Sequence, residues 1–357
     1  MLMMSLVLSC AGALGAETPA TPFVESPVDK LVDQFDADKE AFRLRRRRAT
    51  PEEREEFAGE RPHESDYVTR FLAIEKEHRG TDDGCRALMW IITEALDQTA
   101  LELLLPAYLE SERLEELCFP LDMFATKPAF DALETMSNGS PHRAVRGAAT
   151  YVLAKLVKQA VDRDLDTAQP ERVEGLYRRV LADYADLDHP EGVTLGKAAE
   201  RDLFEYLHLS VGRIAPEIEG KDLEEAGIRL SDYRGKVVML TFWGHWCPPC
   251  RDMFEHEKHL VSDHVNRPFA LIGVNSDANL ESSVEQSDRA GINWRSFWNG
   301  PRGNRGPISM RWNVRGWPSI YLIDHEGRIQ NKWRGSPGDE ILDQHIEKLL
   351  VRAEKAE

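Results

Sequence analysis

A nearly continuous apolar run, KVVMLTFWG at residues 236–244, leads within three residues into CPPC. An apolar run of this length is typical of a strand that is buried on both faces of a sheet. The residues that follow, RDMFEHEKHLVSDHV, carry apolar side chains at helical spacing. Cys247 and Cys250 therefore lie where a central strand ends and a helix begins. This junction requires a layered α/β fold, with helices packed on a sheet.

The rest of the C-terminal region continues the same alternation. FALIGVNSD at 269–277 predicts a second buried strand, and NLESSVEQSDRAG predicts the helix after it. SIYLIDHEG and RIQNKWRG predict a hairpin that turns at residues 325–327, and GDEILDQHIEKLLVRAEK predicts a C-terminal amphipathic helix. This order predicts a mixed central sheet flanked by helices, in a domain that spans residues 212–357.

The sequence between residues 63 and 211 predicts helices alone. Apolar residues recur at three- and four-residue spacing in five segments: YVTRFLAIEKEH, RALMWIITEALDQTALELLLPAYL, HRAVRGAATYVLAKLVKQAV, ERVEGLYRRVLADYADL and GKAAERDLFEYLHLSV. ERVEGLYRRVLADYAD looks like the second helix of a tetratricopeptide unit, but no repeat of about 34 residues surrounds it. We therefore predict an all-α domain resembling an irregular helical repeat, which serves either packing or partner recognition.

Residues 17–62 are predicted to form a tether and a charged helical segment. ETPATPFVESP at 17–27 is rich in proline and threonine, which is typical of a linker. TPEE at 50–53 has the residues of a capping box, with proline at the first helical position. The basic run RLRRRR at 43–48 has acidic flanks, so we interpret it as a solvated helix face.

The first sixteen residues, MLMMSLVLSCAGALGA, have the apolar core and small-residue end of a secretory signal peptide. They are too short for a comfortable membrane span. VLSC loosely resembles a bacterial lipoprotein box, in which Cys10 would carry a lipid anchor, and cleavage near Ala16 is the alternative. Both predict a periplasmic or secreted protein. In such an oxidising compartment, Cys85 and Cys118 either form a disulfide or remain two buried thiols.

The charge of the chain limits its partners. With 45 lysine and arginine residues against 62 aspartate and glutamate residues, the formal net charge is -17. Such a surface repels phosphate groups, so we expect neither nucleic acid nor an anionic membrane surface as a general partner.

The two cysteines are best explained as a redox dithiol. A c-type haem site needs histidine directly after the second cysteine, and Arg251 stands there. His256 and His259 lie about 9–14 Å along the helix from Cys250, at about 1.5 Å per residue. One tetrahedral metal ion cannot bridge that span, so we expect neither a metal nor another cofactor. A helix N-terminus, in contrast, stabilises a cysteine thiolate.

The position of each cysteine predicts its role. Cys247 is closer to the helix terminus and is expected to be the exposed thiol that attacks. Cys250 lies one turn inward, where it can resolve a mixed disulfide. Trp246, Pro248 and Pro249 are expected to shape the surface around the pair.

The C-terminal domain resembles the TlpA/ResA-type extracytoplasmic thiol-disulfide oxidoreductases, which have a thioredoxin-like fold and fall within the redoxin (AhpC/TSA-like) group. The resemblance covers about residues 211–351 and rests on APEIEG, LSDYRGKVVML, FWGHWCPPCR, IGVNSD and GWPSIYLIDHEGRI. It implies that Pro318 is the family's cis-proline beside the disulfide, with the preceding residue facing the substrate. Here that residue is Trp317, which either shapes a substrate groove, partly covers the dithiol, or packs under the loop together with Trp312.

The sequence also departs from the family pattern. Thr241 stands where cytoplasmic thioredoxins carry a buried aspartate, and Met253 stands where ResA-like proteins carry a glutamate. Both of those acids are credited with moving protons for the inner cysteine. Glu255 replaces the usual helix-kinking proline. Glu255, His245 and His256 are the candidates for proton transfer, and the alternative is that they simply face solvent.

We expect a thiol-disulfide oxidoreductase. The resemblance implies that it reduces client proteins, in cytochrome c maturation or elsewhere, and that an upstream redox partner regenerates it. The alternative is a scaffold in which the helical domain binds a partner and the redox domain is secondary. A peroxidase is disfavoured because the threonine that peroxiredoxins place three residues before their reactive cysteine is absent.

Overall fold

The computed structural model describes residues 25–163 and 170–356. The chain divides into two compact units, Met1–Tyr108 and Leu109–Glu357. The predicted signal peptide with Cys10, and most of the predicted tether, lie outside the described residues. No helix within these ranges combines the length and apolar character that a membrane span requires.

Helices make up the described part of the first unit. They are α1 (Pro27–Arg48), α2 (Pro51–Glu56), α3 (Ser65–Glu77), α4 (Asp82–Thr93) and α5 (Leu101–Tyr108). The capping box at α2 is confirmed: the Glu53 amide donates to Thr50 Oγ1 at 3.3 Å, and the Thr50 amide donates to Glu53 Oε2 at 2.8 Å. The prediction of one helix over residues 86–109 is wrong. Leu96 takes a left-handed backbone conformation, with φ of 56°, which separates α4 from α5.

The second unit begins with helices. They are α6 (Leu114–Cys118), α7 (Lys127–Gly139), α8 (Arg143–Asp162), α9 (Pro170–Asp183) and α10 (Leu195–His208). A small hairpin, β1 (Asp188–His189) and β2 (Val193–Thr194), interrupts them, and the sequence did not predict it. The mostly helical character of the region is confirmed. Helix α8 is the central one, because most of its residues are buried.

The thioredoxin-like part of the second unit follows. Its strands are β3 (Glu219–Lys221), β4 (Gly227–Arg229), β5 (Val237–Trp243), β6 (Phe269–Asn275), β7 (Ser296–Trp298), β8 (Ser319–Ile323) and β9 (Ile329–Arg334). Its helices are α11 (Pro248–Asp263), α12 (Leu280–Ala290), α13 (Pro307–Arg311) and α14 (Asp339–Ala353). The five-stranded sheet has the order β7-β6-β5-β8-β9, with β5 parallel to β6 and antiparallel to β8. The predicted mixed sheet is confirmed.

Strand β5 is buried along its whole length and separates two apolar cores. Val237, Met239 and Trp243 point to the face that α11 and α14 cover. The alternate residues of β5 point to the other face. Thr241 therefore shares the face of Met239 and Trp243, and its side chain is fully buried against α11. A hydroxyl in this core is a first sign that the face is not wholly apolar.

Helix α10 packs on the other face of the sheet. Leu209 belongs to the core there, and Phe204 packs against it. The predicted domain boundary at residue 212 stays a prediction. It lies just after the last helix of the helical region, whereas the two compact units divide after Tyr108. Residues 109–211 thus belong to the same compact unit as the sheet.

Of the two alternatives for Cys85 and Cys118, the structure holds two separate buried thiols rather than a disulfide. Each sulfur atom turns to its own helix. Cys118 Sγ donates to the Leu114 carbonyl at 3.1 Å, and Cys85 Sγ lies 3.9 Å from Met89 Sδ. Burial raises the pKa of the Cys118 thiol well above its usual range, which makes it unreactive.

Candidate dithiol site

The dithiol lies where β5 passes into α11. Cys247 is the N-cap residue of α11, and Pro248 and Pro249 occupy the first turn, where the missing N–H of proline costs no hydrogen bond. Cys247 and Cys250 form a disulfide with their Cα atoms 5.3 Å apart. The Cys250 amide donates to Cys247 Sγ at 3.2 Å. A thiolate formed at Cys247 would therefore meet an N–H group and the positive end of α11.

Both cysteines are covered in this disulfide form. Cys247 is 3% exposed and Cys250 is 2% exposed, so the expected exposure of Cys247 is not present. Trp317 packs against the apolar cluster that contains both sulfurs. Direct access of an incoming thiol to Cys247 is therefore restricted in the disulfide form.

Two tryptophans and a cis-proline border the dithiol. The Trp317–Pro318 peptide bond is cis, as the resemblance implied. Trp246 and Trp317 meet edge to face with their ring centroids 5.6 Å apart, and Trp246 is 49% exposed. Ser276 holds both rings: its hydroxyl accepts from Trp317 Nε1 at 3.2 Å, and its carbonyl accepts from Trp246 Nε1 at 3.3 Å. Trp312 is fully buried and has the packing role alone.

His245 is buried and bound to a carboxylate that the sequence reasoning missed. Its Nδ1 lies 2.6 Å from Asp277 Oδ2, and its amide donates to Asp277 Oδ1 at 3.0 Å. Asn275 Nδ2 also donates to Asp277 Oδ2, at 2.7 Å. Burial opposes ionisation of Asp277, but these hydrogen bonds outweigh it and lower the pKa of the carboxyl. The only sequence signal was the polar end NSD of a buried strand.

The other proton-transfer candidates lie away from the dithiol. Glu255 is exposed and pairs with Lys258, whose hydrogen bond lowers the pKa of the carboxyl. His256 Nε2 pairs with Asp343 Oδ1 of α14 at 2.9 Å. The solvent-facing alternative therefore applies to Glu255, and His256 serves to join α11 to α14.

A second missed residue, Glu257, is buried in α11. Its side chain is 2% exposed and lies against the hydroxyl of Thr241, without a regular hydrogen bond between them. Burial raises the pKa of Glu257 to about 8, and the Thr241 hydroxyl opposes that rise. Helical phase was the available signal, because Glu257 follows Cys250 by seven residues, nearly two full turns, on the apolar face of α11.

The fold and this junction define the class of the domain: thioredoxin-like, with a dithiol at the N-terminus of the first helix after the central strand. Residues 211–332 match the model of the AhpC/TSA family, so the C-terminal region carries an AhpC/TSA family domain.

The chain is also similar to named proteins over this region. The thiol-disulfide oxidoreductase ResA of Geobacillus kaustophilus is 28% identical over 141 residues, 40% of this chain and 79% of ResA. The thioredoxin-like protein YneN of Bacillus subtilis is 27% identical over 136 residues, 38% of this chain and 78% of YneN. A solved thiol:disulfide interchange protein from a Bacteroides species is 25% identical, with a TM-score of 0.36 over 40% of this chain and 91% of its own.

Proposed function

We propose that this protein is a thiol-disulfide oxidoreductase that exchanges the Cys247–Cys250 disulfide with cysteine-bearing client proteins. The observation that carries the proposal is the disulfide at the N-terminus of α11, beside cis-Pro318. The similarity to the thiol-disulfide oxidoreductase ResA supports the same activity.

Each sulfur has its own role in the proposed exchange. In the reduced protein, the Cys247 thiolate attacks a client disulfide and releases the first client thiolate. Cys250 then attacks Cys247 Sγ, which forms the intramolecular disulfide and releases the second client thiolate. The short distance between the two Cα atoms, 5.3 Å, lets this second step occur on one helical turn.

We assign client contact to the surface formed by Trp246, Trp317 and Pro318, with the two prolines of the CPPC motif at its edge. The exposed indole of Trp246 offers an apolar contact to an extended client chain. We further propose that the protein works outside the cytoplasm as a reductant and is itself reduced by an upstream redox partner. The family resemblance of residues 211–351 implies this direction, and a lipid anchor at Cys10 belongs to the same proposal.

The helical region supports the site rather than a separate scaffold. Asp202 of α10 pairs with Arg315, and Glu205 accepts from Asn313 Nδ2 at 2.7 Å. Both partners belong to the loop that leads to Pro318. Asp202 is buried and also accepts from the Tyr151 hydroxyl of α8 at 2.7 Å. Helices α8 and α10 thus hold the cis-proline loop in place, which favours a supporting role for these two helices.

Cysteine variants of the full-length protein test the activity. Cys247→Ser should abolish disulfide exchange with a model disulfide, while Cys250→Ser should accumulate a covalent client complex that dithiothreitol releases. Cys118→Ser is the matched control, because that thiol is buried away from the exchange site. Wild-type exchange by Cys247→Ser protein would refute the proposed function.

The direction of electron flow is tested by the reduction potential of the pair, measured by equilibration with dithiothreitol and alkylation of the thiols. A value below about -220 mV, on the scale where thioredoxin lies near -270 mV, identifies a reductant. A value near -120 mV identifies an oxidant and contradicts the reductant assignment alone.

A further inference from the structure

Glu257 is a buried carboxyl that the exchange mechanism above does not use. We propose that Glu257 is the proton carrier of Cys250, giving a proton to the Cys250 thiolate when the disulfide opens and taking it back when the disulfide closes. This inference rests on the proposed function and adds a residue to it.

The placement of Glu257 on α11 supports the proposal. It lies seven residues after Cys250, about 10 Å along the helix axis, and both side chains are on the buried face. Side chains of a helix lean toward its N-terminus, so the Glu257 carboxyl extends back toward the cysteines. There it meets Thr241, which stands two residues before Trp243 on the strand that ends at the dithiol.

Thr241 supplies a path for the proton. Its hydroxyl is buried and has no regular hydrogen-bond partner among the described groups. A hydroxyl both donates and accepts, so it can pass a proton between the carboxyl and the sulfur. Glu257 and Thr241 are thus two polar groups on one apolar face, on the same side of β5 as Cys250.

Among the residues that the structure describes, no charged group of the surrounding elements compensates Glu257. The apolar residues that β5, β6 and α14 contribute to this face include Met239, Leu271 and Ile346. On α11 itself, His256 is engaged by Asp339 and Asp343 and Lys258 by Glu255. Histidines also border this core: the His245 ring lies 6.2 Å from that of Phe254 and its Nδ1 is held by Asp277, while His264 packs on Phe269 and His345 packs on Trp333. Glu257 therefore stays protonated near neutral pH, since burial raises its pKa to about 8.

The step balances as follows. An external thiolate attacks Cys247 Sγ, a new S–S bond forms, and the bond from Cys247 to Cys250 breaks. Cys250 leaves with the electron pair and takes the proton of Glu257, which becomes a carboxylate. In the reverse step the carboxylate removes the proton from Cys250 as this sulfur attacks Cys247, and the external thiolate leaves. General acid–base transfer of this kind lowers the barrier for a poor leaving group.

The test measures reduction of the disulfide in the full-length protein by dithiothreitol between pH 6 and 9, with each rate divided by the reductant's thiolate fraction. For wild type, this corrected rate should fall as the pH passes the pKa of Glu257. Glu257→Gln should be about tenfold slower at pH 7 and should lack the fall. This tenfold decrease in rate is smaller than the ~10²–10⁴-fold contribution that is typical of general acid–base catalysis, because the helix N-terminus already stabilises the thiolate. Glu255→Gln is the matched control on the same helix and should follow wild type.

The outcomes separate the two proposals. If Glu257→Gln keeps the wild-type rate and pH profile while Cys247→Ser is inactive, the proton-carrier proposal is overturned and the oxidoreductase remains. If Glu257→Gln fails to fold, Glu257→Met replaces it, because methionine also lacks an ionisable group, and an unchanged rate and profile in that variant overturn the proposal equally. An infrared carbonyl band of a protonated carboxylic acid, present in the oxidised wild type near pH 7 and absent from Glu257→Gln, would support it independently.

Discussion

Two buried carboxyls near the dithiol have opposite protonation behaviour. Asp277 receives hydrogen bonds from the His245 amide and from Asn275 and contacts the His245 ring, and its pKa is lowered. Glu257 has the Thr241 hydroxyl beside it, and its pKa is raised to about 8. Both side chains are largely removed from water. The comparison shows that the supply of hydrogen-bond donors, rather than burial alone, decides whether a buried acid is ionised.

The two acids consequently suit different tasks. A carboxylate that is ionised and fully hydrogen-bonded orders its surroundings, and Asp277 fixes the turn between β5 and α11 through both the backbone and the ring of His245. A carboxyl that is neutral near pH 7 but close to ionisation can exchange its proton. The structure thus separates the ordering of the dithiol from its proton supply.

The largest expected effect is the pH dependence of stability caused by Glu257. Its folded-state pKa, about 8, lies above the ordinary value of 4.5, so its contribution to stability is complete below about pH 4.5 and is lost as the pH rises through 8. The loss amounts to roughly 5 kcal/mol, at about 1.4 kcal/mol per pH unit. Urea unfolding at pH 5 and pH 8 should show most of this loss, roughly 3–4 kcal/mol, in wild type and its absence in Glu257→Gln. Equal pH dependence in the two proteins would contradict the raised pKa.

Removal of the well-bonded acid should come next in size. Asp277→Ala leaves the donors of His245 and Asn275 buried without their acceptor, and should lower the free energy of unfolding by about 3 kcal/mol. Asp277→Asn keeps one oxygen acceptor and should lose less. Urea unfolding of the oxidised proteins measures both, and a loss below about 1 kcal/mol in Asp277→Ala would show that the network does not order the turn.

The smallest expected effect is a shift in the pKa of Glu257 when its neighbouring hydroxyl is removed. In the wild-type protein the Thr241 hydroxyl lowers the pKa of Glu257. Thr241→Val keeps the shape of the side chain but removes this hydroxyl. The pKa should therefore rise further, and the fall in corrected exchange rate should move to higher pH. If Thr241 also relays the proton, the rate at pH 7 falls as well. A pH profile that coincides with that of wild type would remove Thr241 from the account.

The regular elements of the thioredoxin-like region were predictable because their patterns are long. Strand β5, helix α11 and the β8–β9 hairpin each carry a complete apolar period. Strand β7 was not predicted, because it has three residues and forms through its pairing with β6. The break after α4 depends on the backbone of one residue, Leu96, which composition does not reveal.

The site was predicted where its residues are adjacent in sequence and missed where they are not. Cys247, Cys250 and Pro318 followed from motifs, whereas Asp277 reaches His245 from the end of the neighbouring strand. Glu255 was named as a candidate because it occupies the position of the family's helix-kinking proline, and Glu257 was not considered. The helical period favours Glu257 instead. A residue five positions after Cys250, such as Glu255, lies on the solvent side of α11, and a residue seven positions after it, such as Glu257, lies on the core side.

The packing of α10 on the sheet has a practical consequence for how this chain is cut. A fragment that starts at residue 212 would keep all but the first residue of the AhpC/TSA match but lose Phe204 and Leu209 from the core that they complete. It would also leave Arg315 without its buried carboxylate, Asp202. Such a fragment would expose the apolar surface that α10 normally covers and would therefore self-associate on expression. The structural unit that includes the sheet therefore extends beyond the AhpC/TSA match and contains α10.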